Sequence, residues 1–366
     1  MKDTSYILEQ ICQKIVLSDT AKETVVREYT ALGNLISSDN RVSNAVDIKP
    51  QGSYNLGTAI KPINGSDDDF DIDLVAIVHG ESSPKKIKHL IGNILKTSDA
   101  YASKLQPEKN RAWTIKYFNS HVDVVPATDS QYSDVLITNR LSIQNYGFRQ
   151  SSPFKFKKWF AQKGQDVYQY SDIVSNRFSD EVETPEEYHE YTILQEVVQL
   201  LKYHRNKMFE KRDDKSKPIS MIITILAAEA YTGQDDLSEA LVAVTNGLRN
   251  QIKYDSQGFP HILNPTNKDE DFTDKWRLHP ERKDAFFEWL QVVESNLGTT
   301  NQTEMIPWKS TLADIYGKTR VQEVFEYLGK KRSVMQLQGQ VPLSSEGVFG
   351  GEISDKKVRP HTFWGD

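Results

Sequence analysis

The 366-residue chain has one cysteine and no uninterrupted apolar run of about 18 residues, the length that a membrane-spanning helix needs. With Cys12 alone, an internal disulfide is excluded and a reducing, cytoplasmic location is expected. The chain also lacks a basic excess, because its formal net charge is −6. Binding to long nucleic acid requires a basic surface, so long nucleic acid is not expected as a partner. No membrane is expected either, because the chain has no apolar run long enough to span one. The N-terminal residues 1–15 are too polar for a signal peptide and predict an amphipathic helix.

The apolar pattern along the chain predicts strands and helices up to about residue 155 and helices after it. Helices are predicted at 5–16, 19–38, 84–99, 190–211, 218–231, 236–251, 278–296 and 309–331. Strands are predicted at 46–52 and 70–78, followed by a hairpin of 113–118 and 121–127. The remaining residues, 335–366, are rich in Gly, Pro and Ser and predict a loosely ordered tail.

Three acidic residues occur on predicted neighbouring strands. In the strand FDIDLVAIV, side chains alternate, so Asp71 and Asp73 lie on one face while Ile72 and Leu74 point into the core. In HVDVVPA, Asp123 is flanked by valines, and pairing of the two strands would bring it to the other two acids. Carboxylates in this arrangement suit Mg²⁺, which completes its coordination with water and substrate phosphates. The alternative is that these acids are solvated, as most acid pairs at strand ends are.

A glycine-serine turn, QGSYNLGT, follows the first predicted strand. Gly52 and Gly57 permit close backbone approach, and Ser53 offers a hydroxyl and a backbone N–H, which together can hold a phosphate. A purely structural turn is the alternative, because such turns are common. The acidic run at residues 67–69 is interpreted as a solvated loop.

GSYNLGT, followed by DID and then VDVVPA, resembles the polymerase-β-type nucleotidyltransferase superfamily. More narrowly, the chain resembles the bacterial cGAS/DncV-like nucleotidyltransferases (CD-NTases), which make cyclic oligonucleotide second messengers in anti-phage defence. Four further segments carry this resemblance, which spans about residues 15–335. They are SSPFKFKKWF (151–160), LQEVVQLLKYHR (194–205), KPISMIIT (217–224) and LNPTNKDEDFTDKW (263–276).

The resemblance implies a bilobed α+β fold: a nucleotidyltransferase core with N-terminal helices at 1–155, a helical lobe like that of oligoadenylate synthases at 156–334 and the tail at 335–366. It implies that Asp71, Asp73 and Asp123 are catalytic and bind two Mg²⁺ ions, with Mn²⁺ as an alternative. It also assigns nucleotide binding to five residues. These are Gln51, Gly52, Ser53, Lys202 and Ser220.

The sequence around Lys202 and Ser220 supports their assignment to nucleotide binding to different degrees. Pro218 suits the first turn of a helix, which places Ser220 near a helix N-terminus, where an anion is favoured. A simple capping role is the alternative for this serine. Lys202 lies opposite the apolar stripe of its helix, which fits a cleft-facing lysine and a solvated one equally.

The expected function is condensation of NTPs into a cyclic di- or trinucleotide, with ATP foremost and GTP or a pyrimidine NTP as alternatives. Rival interpretations are a template-free polymerase that makes linear oligonucleotides or tails RNA, a protein nucleotidylyltransferase, and a non-catalytic nucleotide-binding regulator. The C-terminal RPHTFWGD either docks on the protein or, by the resemblance, binds a ubiquitin-transfer-like partner. The sequence does not specify the bases, the linkage or the ring size.

Overall fold

The computed structural model describes residues 3–42, 46–63, 70–118, 120–164, 182–185, 188, 190–212, 215–299 and 305–337. The chain divides into two compact units, residues 1–300 and 301–366. The predicted acidic loop at 67–69 and the tail from residue 338 onward lie outside the described residues. The predicted domain boundaries at residues 155 and 334 stay predictions.

The first unit combines one large sheet with helices. Its described helices are α1 (Asp3–Ile15), α2 (Asp19–Ser37), α3 (Gly52–Asn55), α4 (Pro84–Thr97), α5 (Pro153–Lys163), α6 (Ile193–Met208), α7 (Ser220–Ala230), α8 (Leu237–Gly247) and α9 (Pro280–Leu297). The strands of the large sheet are β1 (Val46–Gln51), β2 (Phe70–Val78), β3 (Trp113–Lys116), β4 (Ser120–Asp129), β5 (Val135–Arg140) and β6 (Tyr146–Ser151). Four short strands follow: β7 (Lys253–Tyr254), β8 (Pro260–His261), β9 (Leu263–Asn264) and β10 (Asn267–Asp271).

The six-stranded sheet has the order β1-β2-β4-β5-β6, and β3 pairs with the first half of β4. The β2–β4 pair is parallel, and α4 lies between these strands in the chain, whereas the other pairs are antiparallel. The predicted hairpin of β3 and β4 is therefore confirmed. Strands β5 and β6 were not predicted. Every residue of β6 is half-buried, so its sequence, YGFRQS, lacks the alternation that indicates a strand.

The two faces of the sheet bury different side chains. Ile72 and Leu74 of β2 lie in a large apolar cluster with residues of α2 and α4, as their alternation predicts. On the opposite face, Val75 and Ile77 pack in a second cluster with the ends of β4 and β5. Asp71 and Asp73 precede Val75 on this second face. The acids therefore lie beside a buried apolar surface, not on an isolated solvated strand.

Helix ends follow local capping chemistry. Ser18 caps α2 by accepting a hydrogen bond from the Ala21 backbone N–H at 3.2 Å. Thr192 and Gln195 form a reciprocal capping box at the start of α6. None of the helices in the described ranges is both long and apolar enough to cross a membrane.

The second unit is described at residues 305–337, which form α10 (Met305–Tyr316) and α11 (Lys318–Leu337). The single helix predicted at 309–331 is wrong. Gly317 has φ +98°, a left-handed conformation that ends a helix and that glycine adopts at low cost. Helix α11 continues to Leu337, so residues 335–337 are helical, not part of a loosely ordered tail.

Candidate active site

Asp73 and Asp123 are direct partners across the parallel β2–β4 pair. Residues paired in this way point to the same side of a sheet, and Asp71 shares that side because it lies two residues before Asp73. Asp71 is exposed, whereas Asp73 is half-buried. The predicted pairing of the two acidic strands is therefore confirmed, and the three carboxylates come together.

The electrostatics of Asp73 reflect this convergence. Burial, followed by the negative charges of Asp71 and Asp123, raises the pKa of Asp73 to about 7. The positive charges of Lys109 and Lys202 offset part of this rise. A divalent cation bound among the three carboxylates would reduce their repulsion and favour the ionised form of Asp73.

Asp123 is fixed by two neighbours on or near β3. Thr114, its direct partner across the β3–β4 pair, donates a short hydrogen bond from its hydroxyl to Asp123 Oδ1. Lys109 Nζ lies 3.2 Å from both carboxylate oxygens of Asp123. Thr114 is buried, so one oxygen of Asp123 is held by a rigid strand while Lys109 approaches from the more exposed side.

The glycine-serine turn lies directly against the acids. Gly52 has φ +77°, and a β-carbon added to it would lie 1.9 Å from Asp73 Oδ2. Gln51, at the end of β1, is the strand partner of Asp73. Ser53 follows in α3, and its carbonyl accepts a hydrogen bond from the Thr58 backbone N–H at 2.9 Å. Gln51, Gly52 and Ser53 are therefore all close in space to Asp73, one of the three acids.

Three side chains of helix α6 donate hydrogen bonds to the successive backbone carbonyls of residues 56–58, which continue this turn. Gln195 Nε2 donates to the Leu56 carbonyl at 3.0 Å, and Gln199 Nε2 donates to the Gly57 carbonyl at 2.9 Å. Lys202 Nζ donates to the Thr58 carbonyl at 2.5 Å. The donors are four and then three residues apart, so they share one face of the helix. The turn is thereby connected to the helical part of the unit.

Lys202 is 3% exposed, so the interpretation of this residue as a solvated lysine is wrong. Burial and the charge of Arg205 lower its pKa to about 7, while Asp71 and Asp73 oppose that change. The apolar stripe could not reveal this environment, because the opposite side of α6 faces the turn at residues 56–58 instead of water.

Ser220 is the first residue of α7, and Pro218 lies before the helix. The prediction that Pro218 occupies the first helical turn is therefore wrong. Arg205 Nη1 donates to the Pro218 carbonyl at 2.7 Å and to Ser220 Oγ at 3.1 Å. This buried arginine thus connects α6 with the start of α7, and it brings Ser220 near the charge of Lys202.

The proteins to which this chain is similar agree with this arrangement of residues. Residues 1–164, which contain the three acids and the glycine-serine turn, match the family described as Second Messenger Oligonucleotide or Dinucleotide Synthetase domain. A protein of Roseivirga ehrenbergii named c-di-GMP synthase is 26% identical over 368 residues, which cover 98% of this chain and 96% of that protein.

The chain therefore carries a Second Messenger Oligonucleotide or Dinucleotide Synthetase domain at residues 1–164, and the proteins that it resembles are CD-NTases.

Solved CD-NTase structures share its α+β fold. The Bradyrhizobium diazoefficiens CD-NTase CdnG, solved in complex with GTP, superposes with a TM-score of 0.66 at 18% identity, covering 89% of this chain and 99% of that one. The GTP-bound form of Vibrio cholerae DncV superposes with a TM-score of 0.57 at 14% identity, covering 87% of this chain and 95% of that one. The predicted fold class is therefore confirmed.

Four polar residues of this candidate site were not predicted from the sequence. The predicted hairpin indicates only that a residue of β3 lies opposite Asp123: a turn at residues 119–120 would place Lys116 there, whereas the structure pairs Thr114 with Asp123. Lys109, Gln195 and Gln199 carry no such signal. They lie in a loop and on a helix whose contacts with the turn and Asp123 arise only in the folded chain.

The donor chemistry of the three acids fits Mg²⁺. Carboxylate oxygens are hard ligands, and burial together with the charges of Asp71 and Asp123 raises the pKa of Asp73, so a bound cation would favour its ionised form. Within the described ranges, no three His, Cys, Asp or Glu side chains are already arranged as a group that could hold a metal ion. Mg²⁺ keeps several waters and takes ligands from substrate phosphates, so a complete protein cage is not required.

Proposed function

We propose that this chain condenses NTPs into a cyclic oligonucleotide, with a cyclic dinucleotide as the main product. The observation that carries the proposal is the convergence of Asp73, Asp123 and Gly52 at one point of the sheet. The name of the R. ehrenbergii relative, c-di-GMP synthase, supports a dinucleotide ring and GTP as a substrate. ATP and pyrimidine NTPs remain alternatives for the second position.

In the proposed reaction, the oxygen of a 2′- or 3′-hydroxyl of the acceptor nucleotide attacks the α-phosphorus of the donor. The bond between this phosphorus and the oxygen that bridges to the β-phosphate breaks, and pyrophosphate leaves with the bonding electrons. Thr114 and Lys109 hold the carboxylate of Asp123 in place, and this carboxylate accepts the hydroxyl proton. A second transfer within the linear intermediate closes the ring.

Asp71, Asp73 and Asp123 would hold Mg²⁺, which neutralises charge on the donor triphosphate when bound. Gln51, Gly52 and Ser53 bring the turn next to these acids, and the turn would receive the phosphate tail of the donor. Two residues of the helical part would add contacts to that tail. These are Lys202 and Ser220.

A role in anti-phage signalling, a cytoplasmic location and a protein partner at the C-terminal tail are proposed from the family resemblance. The tail residues Phe363, Trp364 and Asp366 lie outside the described residues. Mass spectrometry of the protein from its native host tests the partner proposal, and an unmodified C-terminus at full activity would contradict it.

The decisive experiment incubates the protein with all four α-labelled NTPs and Mg²⁺, treats the products with phosphatase and identifies them by mass spectrometry. The expected result is a phosphatase-resistant cyclic product, whose formation falls by at least about two powers of ten in Asp73→Asn and Asp123→Asn. Asp129→Asn, at the far end of β4, is the matched control and should retain activity.

Each rival predicts a different outcome of the same experiment. A ladder of linear products would identify a template-free polymerase. Transfer of label to a protein would identify a protein nucleotidylyltransferase. NTP binding without any release of pyrophosphate, in the wild type and in the variants alike, would identify a non-catalytic regulator.

A further inference from the structure

A cavity of about 240 Å³ lies beyond the catalytic acids. Its walls are the loop before β3, strand β6, the segment before α7 and the segment from β10 to the start of α9. Six basic and three acidic side chains line it, although the whole chain is acidic at −6. The basic residues are Arg111, Arg149, Lys215, Lys217, Lys275 and Arg282. A local basic excess of this kind indicates an anionic ligand.

The carboxylates that line the cavity already have partners. Asp271 Oδ2 lies 2.6 Å from His261 Nδ1, and Glu270 accepts a hydrogen bond from Asn264 Nδ2 at 2.8 Å. Asp274 pairs with Arg149 at 3.3 Å. The acids are therefore held by the protein itself and are poorly placed to bind a cation in the cavity.

Two of the arginines show that the positive charge is not fully balanced. Burial, followed by the charge of Arg149, holds the pKa of Arg111 below its usual range. Arg282 Nε is buried and has no hydrogen-bond partner among the described residues. A phosphate group would relieve both conditions, because guanidinium groups bind phosphate oxygens through charge-assisted hydrogen bonds.

The cavity adjoins the catalytic site on both of its sides. On the sheet, Lys109 contacts Asp123, and Arg111 follows it by two residues in the same loop. On the helical side, Ile219 lines the cavity and lies between Pro218 and Ser220, the two residues that Arg205 holds.

The order of the strands places the cavity opposite the glycine-serine turn. The turn contacts β2 at Asp73 and follows β1, one edge of the sheet, whereas Arg149 is on β6, the other edge. The catalytic acids on β2 and β4 lie between them. If the donor triphosphate lies at the turn, the acceptor nucleotide approaches from the side of β4 and β6.

We propose that this cavity binds the 5′-triphosphate of the acceptor nucleotide, through Arg111 and Arg282, during the first transfer. The inference rests on the proposed function. The acceptor reacts at its 2′- or 3′-hydroxyl and keeps its own triphosphate through this step. That triphosphate projects from the 5′-carbon, on the other side of the ribose from the reacting hydroxyl, and needs a site separate from that of the donor.

The test isolates the first transfer and compares acceptors that differ only in their phosphates. The donor is α-labelled 2′,3′-dideoxy-GTP, which has no hydroxyl that can act as an acceptor. The acceptors are GTP and guanosine, with Mg²⁺ present. The wild type should have the lower KM for GTP. Arg111→Gln and Arg282→Gln should each raise the KM for GTP about tenfold and leave the KM for guanosine unchanged.

Two further variants separate binding of the acceptor triphosphate from the effect of removing a positive charge elsewhere or of losing stability. Lys268→Gln, an exposed residue of β10 outside the cavity, should change neither KM. Lys215→Gln removes an exposed charge at the cavity and serves if one of the arginine variants fails to fold. It too should raise only the KM for GTP.

Three outcomes would overturn the inference. An unchanged KM for GTP in all three cavity variants would show that the cavity does not bind the acceptor triphosphate. An equal loss of transfer to GTP and to guanosine would indicate a separate phosphorylated ligand or a structural role. If the wild type transfers label to neither acceptor and also forms no cyclic product from the four NTPs, the proposed function itself fails, and the inference fails with it.

Discussion

Gly52 and Asp73 are in such close contact that a β-carbon at position 52 would lie 1.9 Å from the Asp73 carboxylate. Gly52 also has φ +77°, which disfavours any other residue. The glycine is therefore required twice, once for its backbone conformation and once for the space that the acid occupies. The turn and the acid form one structural feature, although 21 positions separate them in the chain.

Gly52→Ala should lower the rate of pyrophosphate release by at least about two powers of ten, because the new methyl group displaces the Asp73 carboxylate. Gly80→Ala is the matched control: Gly80 has a similar φ of +72°, but a β-carbon added there would meet nothing within 4 Å among the described residues. Gly80→Ala should lose only the thermal stability that its backbone conformation costs, whereas Gly52→Ala should lose more thermal stability and should also lose activity. Equal activity in the two would show that the contact with Asp73 is unimportant.

Thr114→Val should slow product formation about tenfold while the fold is retained, since valine has the shape of threonine but cannot hold Asp123. Thr138→Val tests the same change on β5, at a buried threonine whose hydroxyl has no partner within the described ranges. That control should keep full activity. Steady-state kinetics at saturating NTP compares the two variants with the wild type. If Thr114→Val forms product as fast as the wild type, Thr114 has no role in the proposed mechanism.

The raised pKa of Asp73 predicts a pH-dependent stability in the absence of divalent metal. Between its ordinary value of 3.8 and about 7, the carboxyl is ionised in the unfolded chain and protonated in the native one. The native state then binds more protons, so this group lowers the stability as the pH rises through that window. Asp73→Asn should therefore be about 1–3 kcal/mol more stable than the wild type at pH 8.

Urea unfolding of the wild type and of Asp73→Asn from pH 4 to pH 8 measures the difference in their free energies of unfolding, which should shrink toward pH 4. Titrating groups that do not interact with Asp73 are common to both proteins and cancel. Addition of Mg²⁺ should stabilise the wild type at pH 8 and have a smaller effect on Asp73→Asn. A difference that does not vary with pH would contradict the electrostatic account of this acid.

Lys202 has a pKa of about 7 in the free protein, so at pH 8 it is mostly neutral. Binding of a triphosphate near this residue favours its charged form, and NTP binding at pH 8 should therefore take up a proton. Calorimetry in buffers of different ionisation enthalpy counts that proton. Lys202→Met should abolish the uptake, whereas Lys207→Met, at a partly exposed lysine later on the same helix, should not. Equal uptake in both would place Lys202 away from the nucleotide.

The sequence by itself determined the features that depend on neighbours along the chain. Alternation placed Asp71 and Asp73 on one face with Ile72 and Leu74 in the core, and it identified the hairpin that carries Asp123. Helical periodicity located α6, and its capping residues Thr192 and Gln195 are only three positions apart in the sequence. The assignment of catalytic roles to these acids stays a prediction that the proposed experiments test.

Only the tertiary structure decided which side chains share an environment. The parallel pairing of β2 with β4 made Asp73 and Asp123 partners, and it requires the intervening α4 crossover. Lys202 became buried because its helix faces the turn that carries Thr58, 144 positions away. The cavity with Arg111 and Arg282 joins segments from both ends of the unit. Burial and charge at such sites depend on contacts that periodicity does not encode, because periodicity records only which face of an element a residue occupies and not what packs against that face.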